Sequence, residues 1–472
     1  MLLVIIIISP SILAQPTDLN SKTIDKKTYR LYLQKNWDSL IIISKQALKE
    51  NIDYFYLRMR IGIAFYEIDN YRKAAYQFEK AIKFNTNDQS TLEYLYYCYL
   101  NTNRDLEANE LSEHFSESLQ QKIKPDPNRI INNIYFGTGP TFSNNISKNK
   151  RRNLMGRDSI YGEQDLNDNK YYLQLGLRQY IGKRFSVYLG YTNLTISKLK
   201  QIQAPEIVKT GYDTILYNGS YYVDTLYKRN SNMYNQNYKL YQNQVYINAN
   251  IALGKGFTLI PAFHWINVRY NTIYANIKMK YAQSYDTIPS IPVYSIKQKD
   301  TSFNNYVASL ALYKNISVFN LGLFGSYSNL NNKNQYQLGT LFTWFPKGNL
   351  DFYTTSTLVS AWGEQKNRFV FEQLAGVKVS PKIWTEGFIT IGEMINYNEK
   401  NGFIVHNLGD KIKFRAGTNL IITLSHKIEL SLRYQFFNEE CYLIRYNGEN
   451  SYKTIGSDYQ NNTITGGLKW KL

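Results

Sequence analysis

A two-residue hydrophobic period runs through most of the second part of the chain, and its clearest stretch is Lys411–Phe436. One face carries Ile412, Phe414, Ala416, Thr418, Leu420, Ile422 and Leu424, then Ile428, Leu430, Leu432, Tyr434 and Phe436. The other carries Lys411, Lys413, Arg415, Gly417, Asn419 and Thr423, then Glu429, Ser431, Arg433 and Gln435, and only Ile421 breaks the pattern. The short connection Ser425-His426-Lys427 sets Leu424 opposite Ile428, so both halves keep their apolar residues on one side. A helix repeats every 3.6 residues and a strand every two, so this stretch is a β-hairpin. It suits a water-soluble sheet with one buried face, or a barrel with lipid outside and water inside.

The spacing of such segments separates the two. Alternating segments recur near 131–142, 170–181, 184–200, 237–253, 256–280, 303–313, 316–330, 335–346, 349–363, 368–379, 382–396, 411–424, 428–445 and 460–472, fourteen in all. Every second connection is tight: Gly182-Lys183, Gly254-Lys255, Lys314-Asn315, Lys347-Gly348, Ser380-Pro381 and Ser425-His426-Lys427. Most of the others, at 143–169, 201–236, 281–302, 397–410 and 446–459, are long and polar. Tight turns on one side and long loops on the other are the asymmetry of an outer-membrane barrel. A soluble sandwich has no reason for it. A mean hydropathy of −0.42 agrees, because in a barrel only alternate residues meet lipid. An even strand count returns the chain to its starting side, which places the N-terminal region in the periplasm. Tyr172, Trp265, Tyr336, Trp344 and Trp384 fall near strand ends and are expected as interface girdles.

The N-terminus supplies the compartment. Leu2–Ile8 is an unbroken apolar run, and Ile12-Leu13-Ala14-Gln15 reads as a cleavage site, so residues 1–14 are expected to be a signal peptide. Cys98 and Cys441, the two cysteines, exclude a disulfide framework and a four-cysteine metal site. The net charge of +18 is scattered through strands and turns and forms no arm, so nucleic acid is not an expected partner.

Residues 15–127 change period. The best copy of a 34-residue pattern spans about 55–87, with Ile61-Gly62 and Phe65 on a first helix and Ala74, Phe78 and Ala81 on a second. The small residues let the helices approach, and the two phenylalanines fill the space between. Thirty-four residues earlier, Trp37, Leu40 and Ala47 take matching places; 34 later, Leu92, Leu95, Tyr99 and Ala108 do. Glu117–Asn128, with Pro125 and Pro127, reads as the linker to the barrel at 128–472. The segment resembles a short tetratricopeptide array, and that resemblance implies a concave surface for a periplasmic protein; the alternative is a stack of helical hairpins that only packs against the next domain.

Chemistry is sparse. His114, His264, His406 and His426 show no metal-ligand spacing, and no nucleophile elbow or phosphate loop occurs. His264, beside Trp265, is expected at the membrane interface. Neither a cofactor nor a metal nor an enzymatic activity is expected. The constellation that stands out is ionic: Arg178, Glu372, Glu386, Lys413, Arg415, Glu429 and Arg433 all fall on the lumen side by alternation. They read either as a pore lining that guides an anionic polymer or as ion pairs that fill the barrel.

The last strand alternates Ile464, Gly466, Leu468, Trp470 and Leu472 with polar residues to the final position. It resembles the C-terminal strand by which barrel-assembly machinery recognises outer-membrane proteins, with Leu472 where an aromatic residue is usual. The expected fold is therefore α+β multidomain: a tetratricopeptide array followed by an antiparallel transmembrane β-barrel of about fourteen strands in outer-membrane lipid. That order resembles the YaiO-like outer-membrane barrel family and, more distantly, the exopolysaccharide-export porins. The resemblance implies transport, export or envelope assembly. A non-conducting barrel that anchors the repeats is the alternative.

Overall fold

The computed structural model describes residues 20–125, 131–156, 159–217, 219–280, 291–363, 366–448 and 451–472. The expected signal peptide lies outside these residues, as does the junction at 126–130. The chain divides into two units, a helical one that runs to Pro125 and a barrel.

In the helical unit, α1 (Ser21–Leu33), α3 (Phe55–Glu67) and α5 (Gln89–Leu100) begin at 34-residue intervals. So do their partners α2 (Trp37–Lys49), α4 (Tyr71–Ala81) and α6 (Asp105–Leu111). Side chains of Asn20, Asn36, Asn70 and Asp88 cap α1, α2, α4 and α5 by accepting a backbone N–H three residues on. Ile61, Phe65, Ala74, Phe78 and Ala81 are buried in one continuous core. Gly62 is needed there because a Cβ at its position would lie 2.5 Å from the Phe78 ring. The expected linker begins instead with a helix, α7 (Glu117–Ile123), capped by Ser116 and closed by Lys124 in the left-handed region before Pro125. Phe115 and Leu119 are buried against the core, and that burial extends the helical unit to Pro125.

The barrel closes from fourteen strands. They are β1 (Asn133–Ser143), β2 (Tyr161–Ile181), β3 (Phe185–Tyr217), β4 (Ser220–Gly254), β5 (Phe257–Lys280), β6 (Ile291–Ile316) and β7 (Phe319–Ser328), continuing with β8 (Gln335–Trp344), β9 (Phe352–Gly363), β10 (Arg368–Ser380) and β11 (Ile383–Met394). After a small separate hairpin, β12 (Tyr397–Glu399) and β13 (Ile404–His406), the wall ends with β14 (Lys411–Thr423), β15 (Ile428–Tyr446) and β16 (Tyr452–Lys471). Neighbours in sequence pair antiparallel, and β16 pairs with β1 to shut the sheet. A short helix, α8 (Asn145–Asn149), lies between β1 and β2.

Much of what the sequence suggests as long loop is strand. β3 and β4 stay paired from Phe185–Ile251 out to Tyr217–Ser220, so that 201–217 and 220–236 are strand. Beyond an apolar belt both faces of a strand meet water, so the alternation stops while the backbone hydrogen bonds continue. The turn expected at Lys314-Asn315 lies slightly later, at Ser317, whose φ of 48° takes the left-handed step.

Outward positions are apolar and exposed, among them Leu175, Leu189, Ile247, Leu323, Leu338, Leu358, Ile389 and Leu432. Leu468 and Trp470 of β16 belong to the same outer face, pairing with Leu430 and Ile428. Leu472 follows the strand and donates its N–H to the Asn132 carbonyl. In Lys411–Phe436 the alternation holds from Phe414 onward but not before. The ladder shifts between Ile412 and Phe414 as Ile412 pairs with Glu439 and Phe414 with Asn438. This bulge turns Ile412 inward, where it packs with Val359, Val370, Met394 and Tyr397.

Candidate functional site: a lumen crossed by a hairpin

The connection 395–410 folds back into the barrel rather than standing outside it. β12 and β13 pair in register from Tyr397–His406 to Glu399–Ile404, and Lys400-Asn401-Gly402 form the tip, with Phe403 leading back into β13. All three tip residues have positive φ (51°, 57° and 81°), a left-handed turn that asparagine and glycine adopt at little cost.

The tip reaches the wall across the lumen from β11 and β14, which carry its base. The Asn401 carbonyl accepts from Ser309 Oγ at 2.7 Å and from Tyr246 Oη at 3.2 Å, and Tyr313 Oη donates to Asn401 Oδ1 at 3.2 Å. His264 Nδ1 lies 2.7 Å from the Gly402 carbonyl, which fixes Nδ1 as the protonated ring nitrogen. His264 is therefore a lumen residue and not an interface one. The base is held as firmly: Gln242 donates to Asn407 at 3.1 Å, and Asn331 donates to the Asn396 side chain at 2.6 Å and to the Asn407 carbonyl at 2.8 Å. Val405 and Leu408 cover inward apolar residues that a water-filled barrel would not tolerate, namely Ile196, Leu240, Ile266, Val268, Val307 and Leu330.

An ionic lock joins the hairpin to the wall beside it. One Arg415 nitrogen donates to Glu372 Oε2 at 2.7 Å, Glu399 Oε2 at 2.8 Å and Thr390 Oγ1 at 3.1 Å. His406 Nε2 lies 2.9 Å from the other Glu399 oxygen. Burial alone would raise the Glu399 pKa, but Arg415 and then His406 outweigh it and hold the carboxylate well below its usual range.

Beside the hairpin an open cavity of about 710 Å³ remains, walled by β1, β2, β3, β4, β14, β15 and β16. Of the sequence-expected lumen residues, Arg178, Arg415, Glu429 and Arg433 line it. Glu372 stands behind Arg415, and Glu386 accepts from Tyr353 and Asn419 in the wall. Lys413 is not with them. The bulge puts it on the outer side of the rim, 3.4 Å from Glu440 and 2.7 Å from Asp458. Tyr172, expected in a girdle, faces the cavity and bonds Gln174, while Trp265, Tyr336 and Trp344 are exposed on the outer face. Glu399, His406 and the tip were not singled out from the sequence, although Asn401-Gly402 is a strong turn signal by itself.

No family model matches this chain, and no curated protein does. Among solved structures it is similar to the Pseudomonas putida toluene transporter TodX, at 7% identity and a TM-score of 0.38, covering 74% of this chain and 90% of that one. A Pseudomonas aeruginosa FadL homologue matches at 7% identity and a TM-score of 0.40, over 72% of this chain and 90% of that one. The translocator domain of the autotransporter NalP from Neisseria meningitidis matches at 8% and 0.27, over 78% and 98%. Each likeness is one of barrel architecture and says nothing of cargo.

Proposed function

We propose that this chain is an outer-membrane transport barrel whose passage is narrowed by the hairpin 395–410. The observation that carries the reading is the hairpin itself, latched at its tip to Ser309, Tyr246 and His264 while a cavity stays open along one side. The exposed apolar belt supports placement in lipid, and barrel-assembly machinery would insert it by β16. The helical unit is read as a tetratricopeptide array in the periplasm, supported by the 34-residue recurrence of its helices and the Gly62–Phe78 contact. Its role is to recruit a periplasmic protein to an export or envelope-assembly step. No catalytic step is proposed.

The dense anchoring of the hairpin favours a second reading, a filled barrel that serves as an anchor. Planar-bilayer recording separates the two. The passage reading expects small channels from the intact protein and severalfold larger ones when 397–406 is replaced by a short Gly-Ser link. A barrel that stays silent after that replacement, while still showing the heat-modifiable mobility of a folded barrel, overturns it.

A further inference from the structure

Most charges at the cavity are matched. Lys170 lies 3.8 Å from Glu439 and Lys469 lies 3.6 Å from Glu429, while Arg415 has Glu372 and Glu399. Three cations are left over. Arg178, Lys400 and Arg433 all line the cavity, and among the described residues none of them makes an ion pair or a side-chain hydrogen bond. The Arg178 Nε is fully buried without a partner. Lys400 sits at the hairpin tip with φ 51°, a backbone conformation that costs a lysine strain and that delivers its side chain to the cavity.

Walled-in charges of one sign without an ion-pair partner repel each other and cost desolvation. Lys400 shows the effect: burial, then Arg433, lowers its pKa, with Arg415 adding and Glu372 and Glu399 opposing without reversing the shift. Such a set is stable to the extent that something anionic completes it. Groups around it suit a ligand rather than bulk water alone. Tyr188 lies under the Arg178 guanidinium at 5.8 Å, and Phe403, three residues past Lys400, meets Tyr188 at 5.9 Å and Tyr246 at 5.0 Å. Gln174 donates to Tyr188 Oη at 3.1 Å, so the phenol is oriented on the same wall. Two guanidiniums and an ammonium are donor-only groups, and guanidinium forks match the paired oxygens of phosphate and carboxylate.

We propose that Arg178, Lys400 and Arg433 form an oxyanion-binding site in the lumen cavity, taking the phosphate or carboxylate group of a small hydrophilic solute. The site rests on the passage reading for its purpose but not for its existence. Because Lys400 belongs to the hairpin, the bound anion bridges the hairpin to β2 and β15, and the solute that passes is also one that settles the hairpin's position.

Isothermal titration of the full-length protein in detergent tests this with inorganic phosphate and with citrate, the first probing a phosphate group and the second a carboxylate. Saturable heat with at least one of them is expected. Lys400→Gln and Arg433→Gln should each weaken it tenfold or more, Lys183→Gln in a turn should leave it unchanged, and added sodium chloride should weaken it. Heat-modifiable mobility of each variant shows that the barrel has folded. Absence of saturable heat with both anions overturns the site, as does equal affinity in the folded Lys400→Gln and Arg433→Gln variants. Binding by a barrel that carries no current supports the site and removes the passage; current without binding does the reverse.

Discussion

Replacing Arg415 by Met keeps much of the side chain's length and removes its charge, which is the centre of the hairpin's ionic lock. Arg415 is 3% exposed, and the Glu399 side chain it faces is 8% exposed, so neither charge has water to fall back on. With the guanidinium gone, the hydrogen-bond partners left among the described residues are His406 for Glu399 and the Thr390 hydroxyl for Glu372. Breaking a buried pair by removing one partner costs about 3–5 kcal/mol, because the remaining charge is uncompensated. If that cost falls on the closed hairpin, its ratio to the open form drops by roughly a hundredfold to a few thousandfold, at about 1.4 kcal/mol per factor of ten. Single-channel recording of Arg415→Met should therefore show frequent large openings that the native protein lacks. Adding Glu399→Gln should reverse part of the effect, since the stranded charge is removed along with its partner. Native-like recordings from a folded Arg415→Met barrel would refute the reasoning.

Four further expectations concern other parts of the molecule. Leu432→Arg places a charge on a position 53% exposed on the outer face and should cost about 2–4 kcal/mol at the bilayer midplane, read as a lower urea midpoint of the refolded barrel. Gly62→Ala drives a methyl group into the fully buried Phe78 ring; overpacking of about 1–3 kcal/mol should speed hydrogen exchange in α3 and α4 without altering the barrel's mobility. Asp410, which accepts from Asn167 at 2.6 Å and Tyr459 at 2.7 Å, is pushed up to about 7 by burial, against its Tyr459 bond and with Glu439 adding and Lys198 and Lys170 opposing. A carboxyl with a raised pKa in the closed form stabilises that form at low pH and loses the contribution as pH rises through about 7, so opening should increase from pH 5 to pH 8; Glu399, held low, stays ionised across this window. Asp410→Asn should flatten that dependence, and an unchanged profile would remove Asp410 from the hairpin's anchoring.

The sequence displays the barrel more plainly than what lies inside it. Alternation and tight turns such as Gly254-Lys255 mark the strands because lipid requires an apolar residue at every second position of the wall. Ile412 and Lys413 are misplaced by alternation because a bulge inserts a residue into the ladder, and a bulge has no distinctive residue pattern here. Inward apolar residues such as Ile266, Val307 and Val370 look like lapses in a polar lumen until Val405, Leu408 and Tyr397 are seen to cover them. The hairpin carried its own turn signal in Asn401-Gly402. Its direction, into the barrel or away from it, depended on donors more than a hundred residues away, at His264 and Tyr246. Arg178, Arg415 and Arg433 were legible as a group by register alone, whereas Lys400 joined them only through the fold of a connection that resembled an outer loop.

The hairpin's place is open to direct measurement by crosslinking in intact membranes. With Asn401→Cys and Ser309→Cys introduced together, a short bifunctional thiol reagent should join β6 to the hairpin tip, since the Asn401 carbonyl lies 2.7 Å from Ser309 Oγ. Native Cys98 and Cys441 are buried and give no competing product. Recovery of the 309–401 crosslinked peptide by mass spectrometry is the predicted result. Its absence, in membranes where a cysteine pair at the β14–β15 partners Thr418 and Tyr434 does crosslink, would place the hairpin outside the lumen and contradict the passage that depends on it.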